Sequence, residues 1–256
     1  MTRFHQALSV ALFTAAVLAP GVSALGADGT ILINQSTSIN GLPGCQHSGF
    51  PILICQPGSY RLSGNLTVSD PNTDAIRVVI SSDVWIDLNG FVIRGPVQCT
   101  GATPSCSPSN ATGAGISGLS VSIANGMVTG MGFGISVEQN GRVENMQVYE
   151  NGSDGIDAGD ACTVANNNVY RNGGTGVLAQ DGCTITGNTV YNNASDGIFA
   201  NNSNVSGNTS TKNSSYGVNV DCPATLIGNT ITGNGGGSFN LNTSGTGCVL
   251  VNNVAP

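Results

Sequence analysis

The chain has 256 residues, of which 37 are Gly, 39% are hydrophobic and only 8% are charged, and its formal net charge is −7. The apolar fraction is too high for a disordered polar chain, and Val, Ile, Gly and Asn together favour short strands broken by many turns. Seven Lys and Arg residues are too few to form a basic surface, which argues against nucleic acid as a partner.

Residues 1–27 have the pattern of a secretory signal peptide. Arg3 supplies a positive charge, residues 7–19 form an apolar run too short to span a bilayer, and small residues around Ala24 or Ala27 suit cleavage. We expect a secreted or periplasmic protein that has no membrane span once the signal is removed. An uncleaved anchor is the alternative.

The next two regions are predicted as a cap and a repetitive body. Residues 28–65 should form an N-terminal cap, because the open end of a repeat protein must be covered. Residues 66–256 should form the body. Residues 95–113 are rich in Gly, Pro, Ser, Thr and Asn and should be a loop inserted between strands.

The body repeats about every 21 residues. The segments that start at Tyr149, Tyr170 and Tyr191 read YENGSDGI, YRNGGTGV and YNNASDGI. Three columns occur at constant phase: Ile116, Ile135, Ile156, Val177, Ile198 and Val218; Ile123, Val143, Val164, Ile185, Val205, Leu226 and Leu250; Val128, Val148, Val169, Val190, Ser210 and Ile231. Three columns per period predict three short inward-facing strands per coil. The fold class is therefore all-β, a parallel β-helix, and the crossover rule makes it right-handed.

Gly and Asn form further columns between the strands. Both residue types tolerate φ > 0, and stacked Asn amides can bond from one coil to the next. We therefore interpret these columns as turn ladders without a functional site. They comprise Gly115, Gly134, Gly155, Gly176, Gly197 and Gly217; Asn151, Asn172, Asn193, Asn213 and Asn234; and Asn167, Asn188, Asn208 and Asn229.

Residues 58–95, GSYRLSGNLTV…AIRVVISSDVWIDLNGFVIRG, resemble the opening coils of bacterial right-handed β-helix repeat proteins. The later coils resemble repeats of the NosD-like and pectate-lyase-like superfamily. The resemblance covers about residues 55–254 and implies the fold more strongly than any activity. Many enzymes of the superfamily act on polysaccharides.

The catalytic motifs of those enzymes are missing. Residues 153–157 (SDGID) and 159–162 (GDAC) resemble the paired aspartate motifs of polygalacturonases only faintly, because the second element follows too soon. The Asp-Pro-His motif of mannuronan epimerases is absent. Lyases of this shape use Arg or Lys as a base, but Arg171 is expected to pair with Glu150 one coil earlier. No catalytic residue is therefore assigned.

Five aspartates are candidates for an acidic site. Asp160 and Asp181 should stack in adjacent coils, Asp154 and Asp196 lie two coils apart, and Asp157 is nearby. Carboxylates this close either raise a pKa or share a cation such as Ca²⁺. A solvated acidic face, a calcium or cationic-ligand site and a catalytic acid–base pair all remain open. No other cofactor is expected.

Tyr149, Tyr170 and Tyr191 each follow an inward-facing Val, so strand alternation should turn them outward. Flat aromatic surfaces with hydroxyl groups suit sugar rings. The stack is therefore a candidate carbohydrate-binding platform. The alternative is cross-strand packing that only stiffens the sheet.

All eight cysteines follow the signal segment, and an exported chain with an even number is expected to form disulfides. Column phase predicts Cys45–Cys55, Cys99–Cys106, Cys162–Cys183 and Cys222–Cys248. A buried ladder of free thiols is the alternative for Cys162 and Cys183.

The leading function is that of a secreted, monomeric β-helix protein that binds a polysaccharide or cell-surface glycan along one face. One alternative is a polysaccharide lyase or hydrolase that uses the region from Asp154 to Asp181. A structural surface or matrix protein is the other.

Overall fold

The computed structural model describes residues 29–45, 47–81, 83–242 and 247–255. This part of the chain is built almost entirely from short strands, with one four-residue helix. In chain order the elements are β1 (Ile31–Ile33), α1 (Thr37–Asn40), β2 (Ile52–Ile54), β3 (Gly58–Leu62), β4 (Leu66–Thr67), β5 (Ile76–Val78), β6 (Val84–Asp87), β7 (Val92–Arg94), β8 (Gln98–Thr100), β9 (Ser105–Ser107), β10 (Ala114–Gly118), β11 (Val121–Thr129), β12 (Phe133–Val137), β13 (Arg142–Tyr149), β14 (Ile156–Ala158), β15 (Thr163–Ala165), β16 (Asn168–Tyr170), β17 (Val177–Ala179), β18 (Thr184–Thr186), β19 (Thr189–Tyr191), β20 (Ile198–Asn201), β21 (Asn204–Ser206), β22 (Thr209–Thr211), β23 (Tyr216–Asp221), β24 (Thr225–Ile227), β25 (Thr230–Thr232), β26 (Gly237–Asn242) and β27 (Val249–Val251).

The strands stack into a parallel β-helix. One sheet has nine strands in the order β2-β5-β10-β12-β14-β17-β20-β23-β26, with one strand per coil. The other sheet has sixteen strands. It holds two strand positions per coil, which merge where the long strands β11 and β13 cover both. The predicted fold with three strand positions per coil is confirmed.

The predicted apolar columns line the core. Ile156 pairs in register with Ile135 of the coil before and Val177 of the coil after, and all three are fully buried. One continuous hydrophobic cluster runs through the coils. Leu250 is the exception: it lies in the last strand, which pairs only with β24 among the described strands, and is 43% exposed.

The predicted asparagine ladders are confirmed as chains of buried hydrogen bonds. Asn172 Oδ1 accepts from the backbone N–H of Asn151 at 3.1 Å and from its side-chain amide at 3.0 Å. Asn172 Nδ2 donates to Val148 O at 3.1 Å and to Asn193 Oδ1 at 3.0 Å. However, the residue with φ > 0 is the one before the ladder residue, such as Arg171 with φ of 56°. The ladder residue itself turns inward to satisfy backbone groups.

The glycine column is required for close packing rather than for φ > 0. Gly155 is not among the residues with positive φ. A Cβ atom there would lie 2.5 Å from Val169 Cγ1 and 2.7 Å from Asn172 Nδ2. The chain therefore needs Gly at this position because the side chains of Val169 and Asn172 already fill the space that a Cβ atom would occupy.

The β-helix begins earlier than predicted. Strand β1 pairs with β3, and β2 pairs with β5, in parallel register. Residues 31–62, assigned to a separate cap over 28–65, therefore already form coils of the helix. Ile residues at alternate positions favour a strand in both β1 and β2. Residues 1–27 lie outside the described residues.

Residues 95–113, predicted as an inserted loop, lie between β7 and β10. The insertion carries the antiparallel hairpin β8–β9, closed by the Cys99–Cys106 disulfide. Arg171 Nη1 donates to Gly101 O at 3.0 Å, and Arg171 Nε forms the predicted ion pair with Glu150 at 3.0 Å. The insertion is therefore fastened to the outside of the sixteen-stranded sheet.

Candidate functional site

The outer face of the nine-stranded sheet carries Asp157, one of the predicted aspartates, in a row of outward-facing side chains. Because strand side chains alternate, the residue between two buried positions points outward. In-register pairing aligns these residues in a central row: Leu53, Arg77, Ser117, Ser136, Asp157, Leu178, Phe199, Asn219 and Asn240.

An open groove crosses this face over β5, β10, β12 and β14. It consists of a cavity of about 790 Å³ and an adjoining one of about 440 Å³ that share Leu119, Ser136, Glu138 and Asp157. Its walls include charged, hydroxyl and aromatic side chains. The residues that decide its chemistry are Arg77, Phe133, Ser136, Glu138, Asp157 and Asp160.

The positive charge of Arg77 in the groove is neutralised by Asp74. Asp74 is buried, and its carboxylate accepts from Arg77 Nε at 2.8 Å and from Ser117 Oγ at 2.6 Å. The backbone N–H of Ala114 donates to the other oxygen at 2.8 Å. Asp74 thus holds Arg77 at one end of the groove, while half of the arginine side chain stays exposed.

Asp157 lies in the middle of the groove, where both cavities meet. Burial raises the pKa of its carboxyl, and the nearby Asp154 charge raises it further. Burial also raises the pKa of Asp154, although its Oδ1 accepts the backbone N–H of Thr175 at 2.6 Å. Among the described residues no side chain or backbone group hydrogen-bonds the Asp157 carboxyl. Asp157 is therefore available to a ligand, whereas Asp154 is engaged in holding the next coil.

The other predicted aspartates also bond between coils. Asp196 is buried, and its Oδ1 accepts the backbone N–H of Tyr216 at 2.9 Å. Asp160 Oδ1 accepts the backbone N–H of Asp181 at 3.2 Å, and Asp181 Oδ1 accepts from Asn202 Nδ2 at 3.1 Å. Asp160 and Asp181 stack in adjacent coils as predicted. Their contacts, like that of Asp196, stabilise the stacking of turns.

The five aspartates do not gather around one point. Across the described ranges, no group of three or more His, Cys, Asp or Glu side chains is placed to hold a metal ion. A calcium or cationic-ligand site at these aspartates stays a prediction. Asp154 and Asp196 precede their strands, Asp160 and Asp181 follow theirs, and Asp157 lies within β14.

The three tyrosines turn outward as predicted, because Val148, Val169 and Val190 are fully buried. Tyr170 lies between the other two rings, with centroid distances of 5.0 Å to Tyr149 and 4.9 Å to Tyr191 and interplanar angles of 2° and 7°. Each ring of the stack therefore covers a neighbour's face. The half-buried rings offer mainly edges and hydroxyl groups to solvent, and a sugar platform needs exposed faces.

Three of the four predicted disulfides are present in the described structure. They join Cys45 to Cys55, Cys99 to Cys106 and Cys222 to Cys248. The first two close short loops, and the third ties β27 to the coil before it. Three disulfides are typical of a protein from an oxidising compartment.

The predicted Cys162–Cys183 disulfide is wrong: both residues are free, buried thiols. Cys162 Sγ bonds Glu138 O at 3.4 Å, and Cys183 Sγ bonds Gly159 O at 3.0 Å. The backbone N–H of Cys162 also donates to Cys183 Sγ at 3.3 Å. Side chains at equivalent positions of adjacent coils point in the same direction, so each sulfur contacts a backbone carbonyl, and no S–S bond joins the two.

Four residues of the groove were not predicted from the sequence as site residues: Arg77, Phe133, Ser136 and Glu138. The first lies before the insertion at 95–113 and the others after it, so no local motif contains them. The signal that could have found Arg77 and Ser136 is strand alternation. Arg77 lies between the buried Ile76 and Val78, and Ser136 lies between the buried Ile135 and Val137.

Comparisons with known proteins agree with this architecture. A model of the family described as "Right handed beta helix region" matches residues 21–205 and 117–255. No match is found among the curated proteins. Within the described residues, no helix is long and apolar enough to cross a bilayer.

Several solved structures are similar in fold. The Agl-KA catalytic domain has a TM-score of 0.57 and 15% identity, covering 88% of this chain and 46% of that chain, so this chain spans less than half of that domain. A double mutant of the periplasmic alginate epimerase AlgG has a TM-score of 0.49 and 14% identity, covering 79% and 70%. The Dettilon tailspike protein has a TM-score of 0.45 and 16% identity, covering 76% and 54%.

At such low identities these structures are informative about fold alone. The family model, by contrast, matches far more than half of the chain. The chain therefore belongs to the right-handed β-helix family.

Proposed function

We propose that this protein is secreted and binds an extracellular polysaccharide in the groove of the nine-stranded sheet. The groove itself is the observation that carries the proposal. It is open along the helix axis and spans four consecutive coils of the nine-stranded sheet, so an extended chain can lie in it. The fold alone would not suffice, because one fold hosts many functions.

The groove walls have the chemistry that sugars need. Ser117 and Ser136 supply hydroxyl groups, and the carboxyl of Asp157 accepts hydrogen bonds. Phe133 and Leu119 provide apolar surface against which the C–H face of a sugar ring can pack. A few polar groups that converge beside an apolar wall are typical of ligand sites.

Secretion is supported by the disulfides and by the signal-like start of the chain. The closed loops at Cys45–Cys55 and Cys99–Cys106 would not persist in a reducing cytosol. A secreted protein meets extracellular glycans, and the groove walls suit sugars. An extracellular glycan is therefore the ligand that both lines of argument favour.

A second candidate function is cleavage of a glycosidic bond. It is favoured by Asp157, whose raised pKa would suit a general acid, with the Glu138 carboxyl in the same groove. The tyrosine stack remains a weaker candidate for sugar binding, since its ring faces are covered.

The proposal is tested by a glycan array with the mature protein, followed by two bulky substitutions. Ser136→Trp fills the centre of the groove and should abolish binding. Thr184→Trp, exposed on the other sheet, should leave binding unchanged. Circular dichroism checks that both variants fold. Glycan binding that survives Ser136→Trp, or no glycan binding at all, would reject the proposal, and the second outcome would favour a structural surface protein.

Turnover is assayed in parallel on every glycan that binds. Product formation that Asp157→Asn abolishes would establish the second candidate, cleavage. Binding without product supports the first.

A further inference from the structure

We infer that the groove selects a cationic, amino-sugar-containing polysaccharide and excludes polyuronates. This inference rests on the proposed function, because it names the ligand class of the same groove. It starts from the charges that line the groove, which are mostly negative, whereas a polyanionic sugar requires positive ones.

The groove is acidic along most of its length. Arg77 is the one basic side chain among the residues that line it, and Asp74 already forms an ion pair with it at 2.8 Å. Glu138, Asp157 and Asp160 have no basic partner among the described residues. The groove beyond Arg77 therefore has a negative potential at neutral pH.

The other described cations lie outside the groove, and two of them, Arg94 and Lys212, form no ion pair. Arg61, Arg142 and Arg171 pair with Asp87, Glu144 and Glu150 on the sixteen-stranded sheet. No described group of side chains is placed to hold a metal ion that could neutralise a uronate. A polyuronate in the groove would place its carboxylates beside those of the protein, and like charges this close repel each other.

Two carboxyl groups in the groove are free to bind a cation. Neither the Asp157 nor the Glu138 side chain makes a hydrogen bond or ion pair within the described structure. An ammonium group has three donors, and a carboxylate only accepts, so the two are chemically matched. Charge-assisted hydrogen bonds of this kind are about twice as strong as neutral ones.

The groove also has an aromatic wall, formed by Phe133. Phe133 begins the strand that pairs with β14, and it lines the larger cavity together with Asp157. An aromatic wall beside a carboxylate can hold a sugar ring by its apolar face while the carboxylate bonds the amino group. This combination distinguishes a glucosamine unit from a simple polycation such as a lysine peptide.

The test compares four probes by isothermal titration calorimetry with the mature protein. They are a glucosamine hexamer, its fully N-acetylated form, a galacturonate hexamer and hexalysine. We expect the glucosamine hexamer to bind at least tenfold more tightly than the others at low salt, and its affinity to fall at high salt. Asp157→Asn and Glu138→Gln should each weaken it about tenfold.

The matched control is Asp221→Asn. It removes the same charge from the same sheet three coils beyond β14, outside the groove, and should leave the affinity unchanged. Equal binding of the N-acetylated hexamer, equal binding of hexalysine, or preference for galacturonate would overturn the inference. If another glycan binds and Ser136→Trp abolishes that binding, the proposed function stands although the inference fails. If no glycan depends on the groove, both fail.

Discussion

Asn172 donates a hydrogen bond from Nδ2 to Oδ1 of Asn193, 3.0 Å away in the same turn of the next coil. Both side chains are fully buried. The same amide of Asn172 also satisfies the carbonyl of Val148, and its Oδ1 satisfies the N–H of Asn151. One side chain thus connects three coils and closes the backbone bonding of a turn.

Replacing Asn172 with Ala should therefore destabilise the protein strongly. The N–H of Asn151 and the carbonyl of Val148 would lose their partner in a buried site, which costs about 1–3 kcal/mol for each group. We expect a loss of about 2–6 kcal/mol, measured by urea unfolding. Asn168→Ala is the control, because the Oδ1 atom of Asn168 already has no partner. Equal losses in the two variants would contradict a stabilising ladder.

The tyrosine stack should contribute to stability in proportion to the faces that each ring covers. Tyr170 stacks on two rings and Tyr191 on one other tyrosine. An aromatic pair contributes about 0.5–1.5 kcal/mol. Tyr170→Ala should therefore cost about 1–3 kcal/mol, and Tyr191→Ala about half of that, by thermal or urea unfolding.

The same two variants test the stack as a sugar platform. If glycan binding takes place in the groove, both should bind as the wild type does. A marked loss of binding in Tyr170→Ala, with stability almost unchanged, would instead place the sugar on the stack.

The stability of the protein should depend on the ionisation of Asp157. Its pKa in the folded protein lies above the ordinary value of 3.8, so the native state holds the proton more tightly than the unfolded state does. The resulting stabilisation is fully present below about pH 3.8 and is lost as the pH rises through the folded pKa.

Asp157→Asn should accordingly raise the melting temperature at pH 7, where the wild type carries an unpaired, half-buried charge. The gain should shrink as the pH falls and vanish below about pH 3.8. Paired thermal melts of the two proteins across this range check the sign. A variant that is less stable than the wild type at pH 7 would show that the carboxylate has a favourable partner.

Cys162 and Cys183 should behave as protected thiols. They are 2% and 1% exposed, and the hydrogen bond to Cys183 together with burial raises the pKa of the Cys162 thiol. We expect no reaction with a thiol reagent in the native exported protein, and two thiols per chain after unfolding. Peptide mapping that finds Cys162 joined to Cys183 would contradict the ladder.

Much of the fold was predictable because the inward positions repeat. Ile135, Ile156 and Val177 recur at a constant phase, and a solenoid places residues of equal phase one above the other. The same reasoning located Asn151, Asn172 and the outward turn of Tyr170. Periodicity predicts which residues are neighbours whenever every coil is alike.

The predictions about contacts between individual side chains were less successful. Phase places Cys162 above Cys183, but the backbone groups that each sulfur meets decide that they remain thiols. Phase also places Tyr149 beside Tyr170, but only the ring planes show that their faces are covered. Hydrogen bonds and ring orientations depend on atoms that a one-dimensional pattern does not contain.

The sequence by itself determined the coil, its core and its turn ladders. Those features follow from the repeat period and from positions that require Gly or Asn. The tertiary structure decided which residues line the groove. The groove joins Arg77, before the insertion, to Ser136 and Asp157, after it. Stacking brings these residues together across the interruption, since sheet register, and not distance along the chain, determines which side chains share a surface.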